Sequence, residues 1–306
     1  VDLAKDGTIN SRIGDADFSF TNPKGYIMTY IPAFWYKRVQ ENGYERVYVA
    51  DNEYEDFTKS EEFYIGRYTA GGATSAITSK SGVANLVNIT ITDFRTAAKK
   101  VGTNWGQLDI LTWSKIQMLY LVEYANYDTQ TKLGQGRSAS GNNSSLNTGT
   151  LDSMGMKSGC LSNNGTTAVM YRGIENIFGN IFQWCDGVNI TNRQAWISKN
   201  PSDYTSDKVA SPYIKLGYVN PSSDGYISKI GYDSNIPEIQ LPIEASGSST
   251  TKIPDYYYQS TSNRVVAVGG HWGNATGCGL WCWGCSYASS GSRSNFGGRL
   301  LFTPVQ

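Results

Sequence analysis

Residues 175–185 read ENIFGNIFQWC, and this stretch carries the strongest structural signal in the chain. It follows residues 134–167, where glycine, serine and asparagine predominate and apolar residues are few, a composition typical of a long surface loop. Over residues 171–184 apolar and aromatic residues return, and the glycines stand at positions suited to turns. The pattern predicts that ordered structure resumes here.

A second informative stretch, residues 269–298, reads GGHWGNATGCGLWCWGCSYASSGSRSNFGG. It holds three of the eight tryptophans, one arginine (Arg293), and no aspartate, glutamate or lysine. Acid–base catalysis normally uses carboxylates or a histidine with a charged partner, and His271 is the chain's one histidine. Aromatic residues with serine, glycine and asparagine are instead typical of recognition surfaces, where rigid rings supply contact area and small polar groups supply hydrogen bonds.

Three motifs resemble the formylglycine-generating-enzyme-like branch of the C-type lectin fold. Residues 175–185 resemble its N-x-x-G-N-V-W-E-W signature, residues 264–272 (RVVAVGGHW) are similar to R-V-x-R-G-G-S-W, and residues 295–300 (NFGGRL) resemble its N-x-G-F-R end. Residues 111–117 (LTWSKIQ) stand where the family has L-P-T-E-A-E-W. The resemblance implies an α+β, loop-rich C-type lectin fold with two main helices and short antiparallel strands.

The rest of the chain is interpreted around that fold. Helices are predicted over Thr92–Val101 and over Thr112–Tyr127, the second capped by Thr112. Residues 1–25, which are rich in turn formers, are predicted as an N-terminal linker or the end of a preceding segment. Residues 26–306 then form one ligand-binding domain, with a proline-punctuated, β-rich insertion at about 186–262.

The motifs also predict the core and the state of the cysteines. We expect Trp184, Trp272, Phe296 and Leu300 to be buried, because each lies in a motif that the resemblance places at the central sheet. The five cysteines are too few and too clustered for a disulfide scaffold, so free thiols are the favoured interpretation.

The enzymatic branch of the family does not match at its reactive positions. Formylglycine-generating enzymes carry two cysteines at the second and seventh residues after the aromatic of G-G-S-W, which here are Asn274 and Gly279. The iron-dependent relatives need several histidines, and the calcium-dependent sugar motifs E-P-N, Q-P-D and W-N-D are missing. We therefore expect no catalytic residue, cofactor or metal. A divergent oxidase holding copper(I) on Cys278 with Cys282 or Cys285 remains an alternative.

The non-enzymatic branch matches better. The C-terminal segment resembles that of the variable proteins of diversity-generating retroelements, which include phage receptor-binding tropism determinants. Framework positions match at Gly269-Gly270, Gly279-Leu280, Ala288-Ser289-Ser290 and Ser294-Asn295. The predicted ligand-binding set consists of residues that lie between these framework positions, together with two tryptophans: His271, Gly273, Asn274, Thr276, Gly277, Trp281, Cys282, Trp283, Gly284, Ser286, Tyr287, Gly291 and Arg293. We expect Trp281, Trp283, Tyr287 and Arg293 to share one exposed face.

The balance of charged residues limits the classes of molecule that the protein is expected to bind. The 26 lysines and arginines balance the 26 aspartates and glutamates, which is unlike a protein that binds nucleic acid or an anionic membrane. No apolar run is long enough to span a membrane, and the first residues do not resemble a signal peptide. The resemblance implies a protein or glycan ligand such as a bacterial surface receptor, an extracellular location on a virion tail or a bacterial cell surface, and either a monomer or an oligomer. An invariant phage structural or carbohydrate-binding module of the same fold is a further alternative.

Overall fold

The computed structural model describes residues 1–304. Within this range the helices are α1 (Ile91–Lys99), α2 (Ile110–Tyr124) and the shorter α3 (Thr129–Leu133). The strands of the first half are β1 (Asp2–Leu3), β2 (Ile9–Ser11), β3 (Tyr26–Ile31), β4 (Phe34–Glu41), β5 (Tyr44–Ala50), β6 (Thr58–Ser60), β7 (Phe63–Gly66), β8 (Gly71–Ala73), β9 (Ala76–Thr78), β10 (Trp105–Gln107) and β11 (Gly159–Cys160). Those of the second half are β12 (Val169–Tyr171), β13 (Ile174–Glu175), β14 (Phe182–Thr191), β15 (Gln194–Ile197), β16 (Ile214–Val219), β17 (Gly225–Tyr226), β18 (Lys229–Ile230), β19 (Pro242–Glu244), β20 (Tyr256–Gln259), β21 (Arg264–Val268), β22 (Trp283–Tyr287), β23 (Phe296–Gly297) and β24 (Leu300–Phe302).

Both predicted helices are present, with different starts. Thr90 caps α1 by accepting a hydrogen bond from the amide of Asp93. The cap of α2 is Asp109 rather than Thr112, because the carboxylate of Asp109 accepts the Thr112 amide at 2.7 Å. The helix ends where Ala125 adopts a left-handed conformation, with φ of 47°. Among residues 1–304, no helix combines the length and apolar content needed to cross a membrane.

The first segment of the chain is part of a six-stranded sheet. Its strand order is β10-β24-β7-β3-β1-β2. Strand β1 pairs with both β2 and β3, and the side chain of Leu3 is fully buried. Within residues 1–25, predicted as an N-terminal linker or the end of a preceding segment, strands β1 and β2 are therefore paired with the domain, whereas residues 12–17 are exposed.

An eight-stranded sheet collects the motifs that suggested the fold. Its order is β16-β15-β14-β21-β22-β20-β17, and β23 pairs with β14 in parallel. Strand β14 begins within the motif at residues 175–185, β21 forms the first part of the motif at residues 264–272, and β23 lies within the motif at residues 295–300. Because β14 pairs with both β21 and β23, the three motifs lie on adjacent strands. The predicted α+β class, loop-rich with two main helices and short strands that pair mostly antiparallel, is confirmed.

Residues 186–262, predicted as a β-rich insertion, contain β15 to β20. Four of these strands, β15, β16, β17 and β20, extend the eight-stranded sheet at its two edges. The other two, β18 and β19, pair with each other. This region is thus β-rich, and most of it is continuous with the central sheet.

The two faces of the eight-stranded sheet are covered by two hydrophobic clusters. The larger cluster contains Trp113 of α2 and Val266 of β21. The smaller contains Phe94 of α1 with Trp184 and Ala267. Alternate residues of β21 therefore enter opposite clusters, as expected for a strand buried on both sides. Of the predicted core residues, Trp184, Phe296 and Leu300 are buried as expected, whereas Trp272 is partly exposed at the end of β21.

A buried arginine joins the two sheets. The Arg299 guanidinium is fully buried and donates hydrogen bonds to the side-chain oxygen of Gln183 at 2.7 Å and to four backbone carbonyls. These carbonyls belong to Gly66, Arg67, Glu175 and Asn176, at 2.7–3.1 Å. Burial lowers the pKa of Arg299 to about 9. The hydrogen bonds offset the cost of burying the charge, and they tie β7 to the turn before β14.

Candidate recognition surface

Strand β22 presents one set of side chains to the larger cluster. Trp283 and Cys285 are fully buried there, together with Trp281 just before the strand. The Trp281 amide donates to Asp255 at 2.7 Å and its indole N–H donates to Gln240 at 3.3 Å. The prediction that Trp281 and Trp283 lie on an exposed face is wrong. Their alternation marks the inner side of a strand rather than its outer side.

The residues that alternate with these, Cys282 just before β22 and Gly284 within it, lie on the side of the smaller cluster and are buried as well. Cys282 packs in that cluster and is fully buried. Gly284 lies beneath two rings, since a Cβ at this position would stand 3.0 Å from Tyr287 and 3.2 Å from Phe182. Gly277 is likewise buried, and a Cβ there would stand 2.9 Å from Tyr256. These three predicted ligand-binding positions therefore lie under the surface rather than on it.

The other eight predicted residues are accessible. Thr276 and Arg293 are exposed, and the remaining six are partly exposed: His271, Gly273, Asn274, Ser286, Tyr287 and Gly291. The Arg293 guanidinium lies over the Tyr287 ring, 5.6 Å from its centroid. The Tyr287 ring in turn contacts Phe296, with centroids 4.4 Å apart. The prediction that Tyr287 and Arg293 share a face is confirmed.

Three tyrosines that sequence reasoning did not select complete this surface. Tyr226, Tyr256 and Tyr258 are partly exposed and form a row, with ring centroids 5.0 Å and 4.7 Å apart. The hydroxyls of Tyr226 and Thr276 are 2.9 Å apart, and the Asn274 amide donates to the Tyr258 hydroxyl at 2.7 Å. The available signal was the run of three tyrosines at 256–258, whose middle member is buried while its neighbours face outward. We call the recognition surface the following set: Tyr226, Tyr256, Tyr258, His271, Asn274, Thr276, Ser286, Tyr287 and Arg293.

The loop over residues 271–277 is anchored through its backbone. The Trp272 amide donates to Asn180 at 3.1 Å, and the Ala275 amide donates to Ser138 at 2.7 Å. The side-chain amide of Gln130 donates to the carbonyls of Ala275 and Cys278, both at 2.9 Å. These four bonds use only backbone groups of the loop and its end, whereas the Asn274 side chain adds a bond from the His271 amide, at 2.8 Å.

His271 is a neutral member of the surface. Its Nδ1 accepts the Gly273 amide at 3.1 Å, and burial lowers the pKa of His271 to about 4. A backbone N–H pointing at Nδ1 is compatible with the neutral ring and unfavourable for the protonated one. Under neutral conditions, Arg293 is then the one charged side chain of residues 269–298.

This shift in pKa predicts a pH dependence of stability. The unfolded chain takes up a proton on His271 near pH 6.5, whereas the folded chain does so only near pH 4. The stabilising contribution is thus complete above pH 6.5 and is lost as the pH falls toward 4. Comparing urea unfolding of the wild type and His271→Gln, we expect the wild type to lose about 1–2 kcal/mol more than the variant between pH 7 and pH 4.5. Equal losses in the two proteins would show that His271 has the same pKa in the folded and the unfolded state.

The cysteines do not form a reactive centre. All five are free, and Cys278, Cys282 and Cys285 are fully buried. Burial raises the pKa of each of these three thiols, so they are held in the neutral form, which is a poor ligand for copper. Over residues 1–304, no three His, Cys, Asp or Glu side chains are arranged so that they could hold a metal ion. The arrangement gives no support to the copper oxidase alternative.

No family model and no curated protein matches the chain. Among solved structures, it is similar to Treponema denticola variable protein 1, with 11% identity over 90% of this chain and 95% of that one and a TM-score of 0.40. It is also similar to the Major Tropism Determinant P3c and I1 variants, each at 11% identity over 92% of this chain and 74% of theirs. The TM-scores of these two are 0.34 and 0.35.

Proposed function

We propose that this chain is a non-enzymatic binding domain that captures a ligand or receptor through the recognition surface. The observation that carries the proposal is the row formed by Tyr226, Tyr256 and Tyr258 beside Thr276 and Asn274. Tyrosines in contact with one another lose little conformational entropy on binding, and each offers a ring and a hydroxyl. Such a surface suits recognition by shape and hydrogen bonding.

The motifs quoted above support placing the chain with the variable proteins of diversity-generating retroelements, in the formylglycine-generating-enzyme-like branch. In that case the accessible members of the predicted set are the positions where diversity changes binding. The buried members, Gly277, Trp281, Cys282, Trp283 and Gly284, belong to the platform. A phage tail or a bacterial cell surface is the proposed location, and a bacterial surface protein or glycan is the proposed ligand.

The charge distribution supports shape-based over charge-based recognition. Arg293 provides the only charge of residues 269–298, and its stacking on Tyr287 leaves the guanidinium edge available to a carbonyl or carboxylate. Side chains that are paired or stacked in the free protein also need less ordering on binding. The affinity of such a surface is expected to depend weakly on salt, because few ion pairs form.

The test compares two matched triple variants by the binding of labelled protein to a panel of intact bacteria and to a glycan array. The surface variant is Tyr226→Ala, Tyr256→Ala and Arg293→Ala. The control, Tyr44→Ala, Tyr54→Ala and Arg46→Ala, removes exposed residues of the same types elsewhere.

We expect the surface variant to weaken binding at least about tenfold, because aromatic and arginine contacts dominate interface energies. The control should bind like the wild type, and all three proteins should melt within a few degrees of one another. A loss confined to the control, or binding that is no stronger than that of an unrelated protein, contradicts the proposal.

A further inference from the structure

One cavity of the described chain lies away from the recognition surface. It has a volume of about 490 Å³, within the range of about 300–1,000 Å³ found for small-molecule sites. Its walls are the end of α1, strand β10, residues 201–204 and the end of β24, and it contains no residue of the recognition surface. A function of this cavity is therefore independent of ligand capture at that surface.

The floor of the cavity is buried and largely apolar. Leu301 lines it and is about 95% buried, whereas the side chain of Trp105, which also borders the cavity, points to the opposite face of the sheet and packs on Phe302. Pro201 and Pro304 add apolar surface at its rim. At Gly106, a Cβ would meet no atom within 4 Å, so this part of the wall borders open space. The cavity can thus accept a compact apolar group.

Two cations stand on one wall. Arg95 and Lys99 both line the cavity and are four residues apart on α1, so their side chains project from the same helix face. The Nε and Nη2 atoms of Arg95 donate to Asp186, at 2.5–3.0 Å, and Nη2 also donates to Ser206. Its Nη1 donates to no acceptor within residues 1–304. Lys99 is exposed and forms no ion pair with any described carboxylate.

The carboxylates of the cavity are already engaged. Asp186 is neutralised by Arg95. Asp109 accepts hydrogen bonds from the Thr112 amide and from the Tyr204 hydroxyl. Two donors on this wall remain without a described acceptor, the Lys99 ammonium and Nη1 of Arg95, and of the two charges only that of Lys99 is not balanced by a carboxylate.

We propose that this cavity binds a small amphipathic carboxylate. Its carboxylate would lie between the Lys99 ammonium and Nη1 of Arg95, the two donors left unpaired on the α1 wall. Its apolar or aromatic group would occupy the floor against Leu301, beside Gly106. The unbalanced charge of Lys99 favours an anion, and the cavity volume limits the ligand to a molecule of modest size.

The test uses three probes of one shape in ligand-detected NMR titrations: phenylacetate, phenylacetamide and phenethylamine. We expect phenylacetate to bind the wild type at least tenfold more tightly than the amide, and the amine to show no saturable binding. Lys99→Gln should weaken phenylacetate binding at least tenfold, while Lys100→Gln, which changes the neighbouring lysine outside the cavity, should not. Gly106→Leu should abolish binding by filling the space.

Circular dichroism melts of each variant establish that it is folded. The proposal is overturned if the amide or the amine binds as tightly as the acid, or if none of the probes binds. It is equally overturned if phenylacetate binding survives in folded Gly106→Leu protein, since the binding would then lie elsewhere. A protein that fails to bind phenylacetate but binds cells contradicts only the cavity proposal. A protein that binds phenylacetate but fails to bind cells contradicts only the proposed function.

Discussion

Replacing Arg299 by methionine should destabilise the protein by about 3–5 kcal/mol, the cost typical of removing one partner from a buried charged network. The substitution keeps much of the side-chain volume but removes the Arg299 donors to Gln183 and to the four carbonyls, of which those of Arg67 and Asn176 keep a second donor. Buried acceptors that lose their donors carry a desolvation penalty that water cannot relieve. Urea unfolding monitored by tryptophan fluorescence measures the loss.

Two further variants make this result specific. Arg299→Lys should be nearly as destabilising as the methionine variant, because a lysine ammonium donates from one point and cannot reach acceptors on several sides. Arg293→Met removes an arginine six residues earlier that is exposed, and it should change stability by less than about 0.5 kcal/mol. Similar, small effects of all three substitutions would contradict the role assigned to Arg299.

A second large effect is expected at Trp281. Trp281→Ala should cost about 3–5 kcal/mol, since it opens a cavity in the larger cluster and leaves Gln240 without its donor. The Trp281 ring contacts Tyr120 and Tyr127, with centroids 5.9 Å and 4.8 Å apart, so α2 and the segment after it lose packing too. Thermal melts by circular dichroism should show a fall in Tm of about 5–8 °C.

Ser286→Ala provides the comparison for Trp281. Ser286 follows in β22, is partly exposed, and should be neutral within about 0.5 kcal/mol. If Trp281→Ala were tolerated as well as Ser286→Ala, the assignment of inner and outer residues in this segment would be incorrect.

The fold could be predicted from the sequence largely because its motifs lie on strands that pair. Residues 175–185 and 264–272 are about 80 residues apart, yet β14 and β21 are neighbours, and only the resemblance linked them. The start of α2 was misplaced because Thr112 and Asp109 are both good caps, and the choice between them depends on local geometry. Residues 1–25 were interpreted as a linker because β1 is two residues long and carries no periodic signal.

The recognition surface was predicted in part. Eight of the predicted residues of the 271–293 segment are accessible, and their part in binding stays a prediction. The tryptophans at 281 and 283 were misplaced, since alternation shows that two residues share a side of a strand without showing which side is buried. The tyrosines at 226, 256 and 258 were missed, because their contact with the 271–277 loop arises only from tertiary packing.

The way the 271–277 loop is held has a consequence for directed evolution. Its anchors include the amides of Trp272 and Ala275 and the carbonyls of Ala275 and Cys278, which persist whichever codons are written at positions 271, 274 and 276. The Asn274 side chain also accepts the His271 amide and donates to Tyr258, so a combinatorial library that varies positions 271 and 276 and keeps Asn274 would contain fewer misfolded products than one that varies all three. Gln130, which donates to the carbonyls of Ala275 and Cys278, should be kept constant as well.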